Sequence, residues 1–257
     1  MTTLKRRIVE TAADLLGCFI VRKAEAPKWP ERYFAARLFD RLKPDCVFDV
    51  GANVGQYAQR LRQSGFRGPI FSFEPNPIAF EELKRNASFD PDWHCFSNAI
   101  GAQTRRASFN IMKADDFSSF LDPAADALDC KEMNIVERVI EVEVRSLDDC
   151  VPQLQSEHGF TNPFLKMDTQ GFDLEVLRGG SNVLNQFCGV LSEIPVWKIY
   201  DKSPGFTESV EAFNRIGFDV AAFFSENPEL LLRVIEFNCY CVRRDLVRGD
   251  SWELSTW

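Results

Sequence analysis

Apolar and polar positions along the chain follow two periods, which together predict strands that alternate with helices. Residues 46–50 form a short apolar run without alternation, as in a strand buried on both faces. Runs with apolar residues at helical spacing follow such strands repeatedly, an order that favours parallel pairing in an α/β sheet. The predicted strands are Cys46–Val50, Pro69–Phe73, Trp93–Phe96, Phe164–Met167, Gly189–Ile194, Asp219–Phe224 and Val234–Val242. The predicted helices are 31–42, Val54–Gln63, Pro77–Ala87, Leu174–Asn185 and Thr207–Ile216.

Two segments depart from this alternation. Within residues 105–146, Ala107–Met112 and Val139–Val144 alternate like strands with one solvated face, and the polar stretch 113–135 lies between them. We predict an inserted hairpin or a lid here. Apolar residues at helical spacing over 4–21 predict a further helix, which packs on the domain, on a partner subunit or on a membrane surface.

Length and composition place these elements in one main domain. The 257 residues are 45% hydrophobic and 26% charged, as in an ordinary globular protein. We predict an N-terminal helical extension over 1–42, a main domain over 43–245 that carries the insertion, and a C-terminal tail over 246–257. The sequence has no run of 18 apolar residues, so it predicts no transmembrane segment.

Charge and cysteine content argue against two kinds of function, nucleic-acid binding and zinc binding. The net charge is −8, and an acidic body argues against extended contact with nucleic-acid phosphates. The eight cysteines include no Cys-x-x-Cys pair and the chain has two histidines, so the sequence does not predict a zinc site. The cysteines favour reduced thiols, and with them a cytoplasmic location.

The strongest local motif is the turn after the first strand, Val47-Phe-Asp-Val-Gly-Ala-Asn-Val-Gly55. Gly51 and Gly55 permit a sharp turn and a close approach of the backbone to a ligand. The next helix begins directly afterwards, with unpaired N–H groups at its start. Such a turn binds a nucleotide-like ligand at the carboxyl edge of a sheet, although a plain strand–helix turn has the same pattern.

Glu74 ends the second predicted strand, 23 residues after Gly51. An acidic side chain at about that distance is placed to accept both ribose hydroxyl protons. Asn76 suits an N-cap and Pro77 the first helical position, so the helix start fixes Glu74 at the strand tip. The alternative is a solvated glutamate in a loop.

Asp49 distinguishes between the ligands that such a turn accepts. It precedes Gly51 by two residues, and we place it at the mouth of the site. A carboxylate there would repel the pyrophosphate of NAD, whereas S-adenosylmethionine has no phosphate and carries an ammonium and a sulfonium. The turn also lacks the full G-x-G-x-x-G spacing. These residues favour S-adenosylmethionine as the cofactor.

Charged residues near the ends of two later strands are candidate catalytic residues. Lys166 and Asp168 share one face of a strand that the pattern places centrally, and their pairing is either structural or part of the site. Glu193 ends an apolar strand, where burial would raise its pKa and suit a proton acceptor; a salt bridge to Lys166 is the alternative. We predict Asp168 or Glu193 as the general base, with Lys166 setting charge or holding the substrate. Mg²⁺ held by Asp168 and Glu193 stays open.

Four further side chains are weaker candidates. We expect His94 to be a core or edge residue, and His158 to lie at the end of the sheet opposite the site. Trp197 and Tyr200 either wall a substrate pocket or pack in the interior.

Several motifs together resemble the FkbM-type methyltransferases, a branch of the class I S-adenosylmethionine-dependent methyltransferases. The resemblance covers about residues 45–242 and leaves 1–40 outside. Its carriers are FDVGANVGQY (48–57), FEPNP (73–77), SNAIG (97–101), Ser118-Ser119, SLDD (146–149), FLKMDTQGFDLEVLRGG (164–180), SEIP (192–195) and Gly217-Phe218. One departure is Asp173, where the family often has glutamate.

The resemblance implies a three-layer Rossmann-like α/β fold, with a seven-stranded, mainly parallel sheet whose last strand is antiparallel. It implies that Glu74 binds the ribose hydroxyls and that Asp168 and Gln170 face the reacting end. Asn98 and Ala99 would lie near the adenine. The methionine and ribose end would be lined by Asp49, Gly51, Asn53, Gly55 and Tyr57. Ala52, Pro75, Asn76 and Ser118 complete the predicted cofactor-binding set.

The reaction class also follows from the resemblance. We predict an O-methyltransferase that modifies a hydroxyl of a sugar, a glycan or a secondary metabolite. Three alternatives stay open: an inactive scaffold that binds S-adenosylmethionine, an N-methyltransferase and an NAD-dependent sugar enzyme. The N-terminal helix is a candidate for docking on a second subunit, so a homodimer stays open too.

Overall fold

A seven-stranded sheet forms the centre of the protein in the computed structural model, which describes residues 17–124, 135–230 and 232–247. Its strands are β1 (Cys46–Val50), β2 (Ile70–Phe73), β3 (Trp93–Phe96), β7 (Pro163–Met167), β8 (Gly189–Pro195), β9 (Phe218–Ser225) and β10 (Glu236–Arg243), in the order β3-β2-β1-β7-β8-β10-β9. Neighbours from β3 to β8 pair in parallel, and β10 pairs antiparallel with β8 and β9. This confirms the predicted fold, including the antiparallel last strand.

Helices cover both faces of this sheet. They are α1 (Trp29–Leu42), α2 (Gln56–Gln63), α3 (Pro77–Ala87), α4 (Leu147–His158), α5 (Asp173–Arg178), α6 (Phe206–Arg215) and the short α7 (Arg244–Val247). Successive β1 residues point to opposite faces: Val47 packs with α1, α2 and α3, whereas Phe48 packs with α4, α5 and α6. The result is three layers with a core on each side of the sheet.

A second sheet of three strands stands beside the first, in the order β4-β6-β5. It consists of β4 (Ala99–Ile100), β5 (Arg105–Met112) and β6 (Val136–Arg145). β5 and β6 pair antiparallel, and β4 pairs in parallel with β6. The segment 105–146 therefore contains a hairpin. Residues 125–134 of the predicted polar stretch lie outside the described residues.

Two predicted helices differ from the structure, and one observed helix was not predicted. The helix predicted over 174–185 ends at Arg178. The next residue, Gly179, packs closely against the residue that follows β4, since a Cβ at Gly179 would lie 2.0 Å from the carbonyl oxygen of Gly101. Helix α4 was not predicted. Residues 17–21, the end of the predicted helix over 4–21, are not helical, and Gly17 has a φ of 64°, outside the helical range.

Other predictions fall on parts of the chain that the structure leaves out. Residues 1–16 carry most of the first predicted helix, and 248–257 carry most of the predicted tail; both lie outside the described residues.

Candidate donor site and catalytic residues

The glycine turn after β1 is tied to two neighbouring strands. The N–H groups of Gly51 and Ala52 donate to the carbonyl of Phe73, at 3.0 and 3.1 Å. Gly51 has a φ of 71° and Gly55 a φ of 89°, which favour glycine. A Cβ at Gly51 would lie 1.9 Å from the carbonyl oxygen of Asp168. Contacts within the protein, rather than an approaching ligand, therefore account for the glycine at position 51.

Glu74 follows β2 at its carboxyl end, as predicted. Its Oε2 accepts the N–H of Asn53 at 2.8 Å, and its Oε1 accepts the N–H of Asn76 at 2.7 Å. Asn76 caps α3 by accepting the N–H of Ile78 at 3.0 Å. The carboxylate thus links the glycine turn to the start of α3, and burial raises the pKa of Glu74 to about 7.

Asp49 does not stand at the mouth of the site. It is fully buried in β1, next to Lys166 of β7 in the strand register, and its Oδ1 lies 3.0 Å from Lys166 Nζ. The expectation that its carboxylate meets a cationic ligand directly is therefore wrong, because a cation of the protein already pairs with it. Ser72 donates to the other oxygen, Oδ2, at 3.3 Å, and Trp93 donates to Ser72 at 2.9 Å.

Lys166 connects this buried pair to the surface of the site. Its Nζ donates to the carbonyl of Gly51 at 2.9 Å and lies 3.7 Å from Oδ2 of Asp168. Burial alone would lower the pKa of Lys166, but the carboxylates of Asp49 and Asp168 raise it. The raised pKa favours the charged form of the lysine, whose ammonium contacts both the glycine turn and Asp168.

Gln170 brings together the two predicted general bases. Its Nε2 lies 3.1 Å from Oδ1 of Asp168 and 3.2 Å from Oε2 of Glu193. The Tyr200 hydroxyl lies 2.8 Å from Gln170 Oε1, and Ser119 donates to the Gln170 carbonyl at 2.8 Å. The amide therefore has partners on both sides and spans the two carboxylates. The alternative pairing of Glu193 with Lys166 is absent among the described ion pairs.

Glu193 has the electrostatic environment of a proton acceptor. Burial raises its pKa well above the ordinary value, and the nearby carboxylates of Asp168, Glu236 and Glu226 raise it further. Burial likewise raises the pKa of Glu236 to about 7. A carboxylate of raised pKa is a stronger base, which suits removal of a hydroxyl proton.

These residues open into a cavity of about 410 Å³ at the carboxyl ends of the parallel strands. Of the fourteen predicted cofactor-binding residues, ten line it: Gly51, Ala52, Asn53, Tyr57, Glu74, Pro75, Ala99, Ser118, Asp168 and Gln170. Lys166 and Glu193 line it too. The other four, which are Asp49, Gly55, Asn76 and Asn98, lie behind its wall, where Asn76 caps α3 and Asn98 donates to the carbonyl of Ala99.

Carboxylates and aromatic rings both line the cavity. Its described lining contains six carboxylate side chains, Glu74, Asp116, Asp168, Glu193, Glu226 and Glu236, against the two basic ones of Arg60 and Lys166. The lining also contains Phe109, Phe117, Phe120 and Phe172, and the Phe120 ring centre lies 4.9 Å from that of Phe109 and 4.6 Å from that of Phe172.

The sequence patterns do not predict most of the carboxylate and aromatic residues that line the cavity. Phe109, Phe117 and Phe120 belong to the insertion, and Glu226 and Glu236 flank the connection between β9 and β10. No local motif marks them, because only the folded chain brings them to the carboxyl edge of the sheet.

The remaining candidates lie elsewhere or do not form a site. His94 and His158 contact each other, with ring centres 4.4 Å apart, and neither lines the cavity. In the described part of the chain, no three histidine, cysteine or acidic side chains are grouped to hold a metal ion. None of the helices described by the structure has the length and apolar character that crossing a bilayer requires.

Comparison with known proteins identifies the class of enzyme. A profile of the methyltransferase FkbM domain matches residues 49–220, about two thirds of the chain. The protein therefore belongs to the FkbM methyltransferase family, as its motifs predict, and it is an S-adenosylmethionine-dependent methyltransferase.

Two curated relatives and one solved structure show the range of similarity. The 2-O-methyltransferase NoeI of Sinorhizobium fredii is 28% identical over 167 residues, or 62% of this chain and 67% of NoeI. The hexuronic acid methyltransferase AglP of Haloferax volcanii is 27% identical over 150 residues, or 58% of this chain and 56% of AglP. The magnesium protoporphyrin IX methyltransferase of Synechocystis PCC 6803 has a TM-score of 0.43 at 9% identity, covering 88% of this chain and 86% of that one.

Proposed function

We propose that the protein transfers the methyl group of S-adenosylmethionine to a hydroxyl of a sugar or glycan. Two observations support the acceptor class. The relatives NoeI and AglP are named for 2-O-methylation and for a hexuronic acid. Within the chain, Asp168 and Glu193 both line the cavity and are linked by the Gln170 amide, which provides a carboxylate to accept the proton of a hydroxyl.

The charge of the cavity fits this donor better than a dinucleotide. Six carboxylates and two basic groups line it, which disfavours a pyrophosphate and favours a sulfonium and an ammonium. When bound there, S-adenosylmethionine supplies a methyl carbon that the acceptor oxygen takes as the carbon–sulfur bond breaks, leaving S-adenosylhomocysteine. The buried Asp49 contributes indirectly, since it holds Lys166 in place.

The other parts of the cavity fit an adenosine. Glu74 lines the wall with its carboxylate fixed by two backbone N–H groups, so it is oriented to accept hydrogen bonds from a ribose diol. The rings of Phe109, Phe120 and Phe172 provide an apolar surface for a base. A cavity of about 410 Å³ lies within the range that small-molecule sites occupy, on the order of 300–1,000 Å³.

The carboxylate pair is the observation that carries the catalytic proposal. Glu193 is the base in this proposal, because burial and its acidic neighbours raise its pKa. Asp168 lies 3.7 Å from Nζ of Lys166, and the proton of the acceptor hydroxyl passes to Glu193. Gln170 keeps the two carboxylates at a fixed separation.

A direct experiment combines binding with product analysis. Purified protein is titrated with S-adenosylhomocysteine by calorimetry and is then incubated with S-adenosylmethionine and a panel of glycosides. We expect one donor site per chain and a product that gains one methyl group in an alkali-stable ether linkage. An alkali-labile methyl ester would contradict hydroxyl methylation, and a protein that binds the donor product but methylates none of the hydroxylated acceptors would contradict the enzymatic proposal.

A further inference from the structure

A second cavity of about 420 Å³ adjoins the donor cavity on the side of α1 and α2. Six residues line both cavities: Tyr57, Arg60, Lys166, Asp168, Glu193 and Glu226. The predicted catalytic carboxylates of Asp168 and Glu193 are among them. Methyl transfer needs donor and acceptor to meet at the reacting atoms, and the shared wall is where ligands in the two cavities would meet.

Helix α1 supplies the far wall of the second cavity. Glu31 Oε1 accepts hydrogen bonds from Asn238 Nδ2 at 2.9 Å and from the Tyr240 hydroxyl at 3.0 Å. Lys28 pairs with Glu226 at 2.6 Å, and Asn238 donates to the other oxygen of Glu226 at 2.6 Å. The Glu31 bonds attach α1 to β10, and the Lys28 bond attaches the residue before α1 to the β9–β10 connection, so the wall has a defined position relative to the sheet.

The wall has a polar group available for a ligand. Both described donors to Glu31 reach its Oε1, which leaves Oε2 as an acceptor for a hydroxyl. Asn238 faces Glu193 in the β10–β8 register, so the network borders the catalytic carboxylates. Residues 28–39 also lie upstream of the part of the chain that matches the family profile.

The charge of the second cavity differs from that of the first. Its described lining balances four basic side chains, Lys28, Arg32, Arg60 and Lys166, against four acidic ones, Glu31, Asp168, Glu193 and Glu226. Lys28, Arg32 and Lys166 each have a carboxylate partner within 4.0 Å. Among the described residues, Arg60 has none, and its guanidinium lies 5.9 Å from the Tyr57 ring centre at the shared wall.

We propose that the second cavity is the acceptor site and that it takes a uronic acid residue. Arg60 binds the carboxylate of that sugar, and Glu31 accepts a hydrogen bond from one of its hydroxyls. A guanidinium recognises a carboxylate with two parallel hydrogen bonds, which fixes the orientation of the sugar ring. A neighbouring hydroxyl is then directed at Asp168 and Glu193. This assignment rests on the proposed function, because it presumes a donor in the first cavity.

The test uses protein saturated with S-adenosylhomocysteine and two probes, methyl β-D-glucuronide and methyl β-D-glucoside. We expect the wild-type protein to bind the glucuronide at least tenfold more tightly than the glucoside. Arg60→Met should remove that preference for the glucuronide while the protein still binds S-adenosylhomocysteine. The matched control is Arg85→Met, because Arg85 is an exposed arginine of α3 whose side chain contacts its own helix, at Glu82 and at the carbonyl of Glu81; it should change neither affinity.

A second variant tests the α1 wall separately. Glu31→Gln keeps the shape of the side chain and its capacity to accept from Asn238 and Tyr240, so the fold should survive. We expect it to weaken binding of both glycosides at least threefold. The proposal is overturned if wild-type protein binds neither glycoside or binds both equally, or if Arg60→Met weakens donor-product binding tenfold, which would place Arg60 on the donor. Loss of donor-product binding in the wild type would instead refute the proposed function.

Discussion

Asp49 and Lys166 face each other across β1 and β7 in the middle of the sheet, with 3.0 Å between Oδ1 and Nζ. The pair lies directly beneath the donor cavity, and the lysine also holds the carbonyl of Gly51. A buried ion pair of this kind matters mainly through what its loss would leave behind, which is an unpaired charge in the interior.

Lys166→Met should therefore destabilise the protein. Removing one partner of a buried pair costs about 3–5 kcal/mol, because the remaining charge has lost its counter-ion. We expect the urea midpoint to fall accordingly, and the double variant Asp49→Leu/Lys166→Met to recover much of the loss. A single variant within about 1 kcal/mol of wild type would show that the pair is not a structural requirement.

The glycine turn provides a second test, with a matched control in the same chain. Gly51 and Gly159 have nearly equal φ angles, 71° and 72°, but a Cβ at Gly159 would meet nothing within 4 Å. Gly159→Ala should cost roughly 1–2 kcal/mol for the left-handed backbone alone. Gly51→Ala should cost clearly more, because its Cβ would overlap the Asp168 carbonyl. Equal losses in urea unfolding would contradict the packing explanation.

Donor binding should depend on pH through Glu74. Its folded pKa is about 7, and a ribose diol needs the carboxylate form, so binding below pH 7 must release a proton. We expect the affinity for S-adenosylhomocysteine to rise about tenfold from pH 6 to pH 8 and to level off above pH 8. Calorimetry in two buffers of different ionisation enthalpy measures both the affinity and the proton release.

Glu74→Gln is the control for this pH dependence. The amide does not titrate, so the contribution of Glu74 should vanish and the donor product should bind more weakly at pH 8. The raised pKa of Glu74 affects stability in the opposite sense: a higher pH favours donor binding but lowers the free energy of unfolding. Between the ordinary carboxyl pKa of 4.5 and the folded value of about 7, the folded state holds a proton that the unfolded state has lost, so Glu74 costs stability as pH rises. An unchanged pH profile in Glu74→Gln would assign the effect to another group.

Replacing either catalytic carboxylate should slow turnover without weakening donor binding. Glu193→Gln removes the proposed base, and we expect turnover to fall roughly 10²- to 10⁴-fold. Asp168→Asn should slow turnover less, because in this account Asp168 positions the acceptor and does not take the proton. Calorimetry should show that both variants bind S-adenosylhomocysteine as wild type does. Wild-type turnover in both would refute the assignment.

Local signals were sufficient for much of the fold. Helix α3 was predicted at its observed bounds, Pro77–Ala87, because Asn76 and Pro77 specify where it begins. Strand β1 was predicted at its bounds since its apolar run has no alternation. Helix α4 was missed despite its N-cap, Ser146, because Pro152 lies inside it and suggests a break.

The donor site was predictable only where its residues belong to contiguous motifs. Gly51, Glu74 and Asp168 follow strands directly, so their place at the carboxyl edge follows from parallel pairing. Arg60 lies within helix α2, and Glu236 begins the antiparallel strand β10. Neither residue directly follows a parallel strand, so only the folded chain brings them to the cavity. The burial of Asp49 was missed for a related reason. A buried carboxylate needs a partner of opposite charge, and Asp49 has Lys166 as that partner. The two become neighbours only through the register of β1 and β7.

The most direct test of the account is a calorimetric titration of the wild-type protein with S-adenosylmethionine and, separately, with NAD. The acidic lining of the donor cavity predicts saturable binding of S-adenosylmethionine at one site per chain, lost when Glu74 is replaced by alanine, and no heat with NAD. Binding of NAD without binding of S-adenosylmethionine would contradict it.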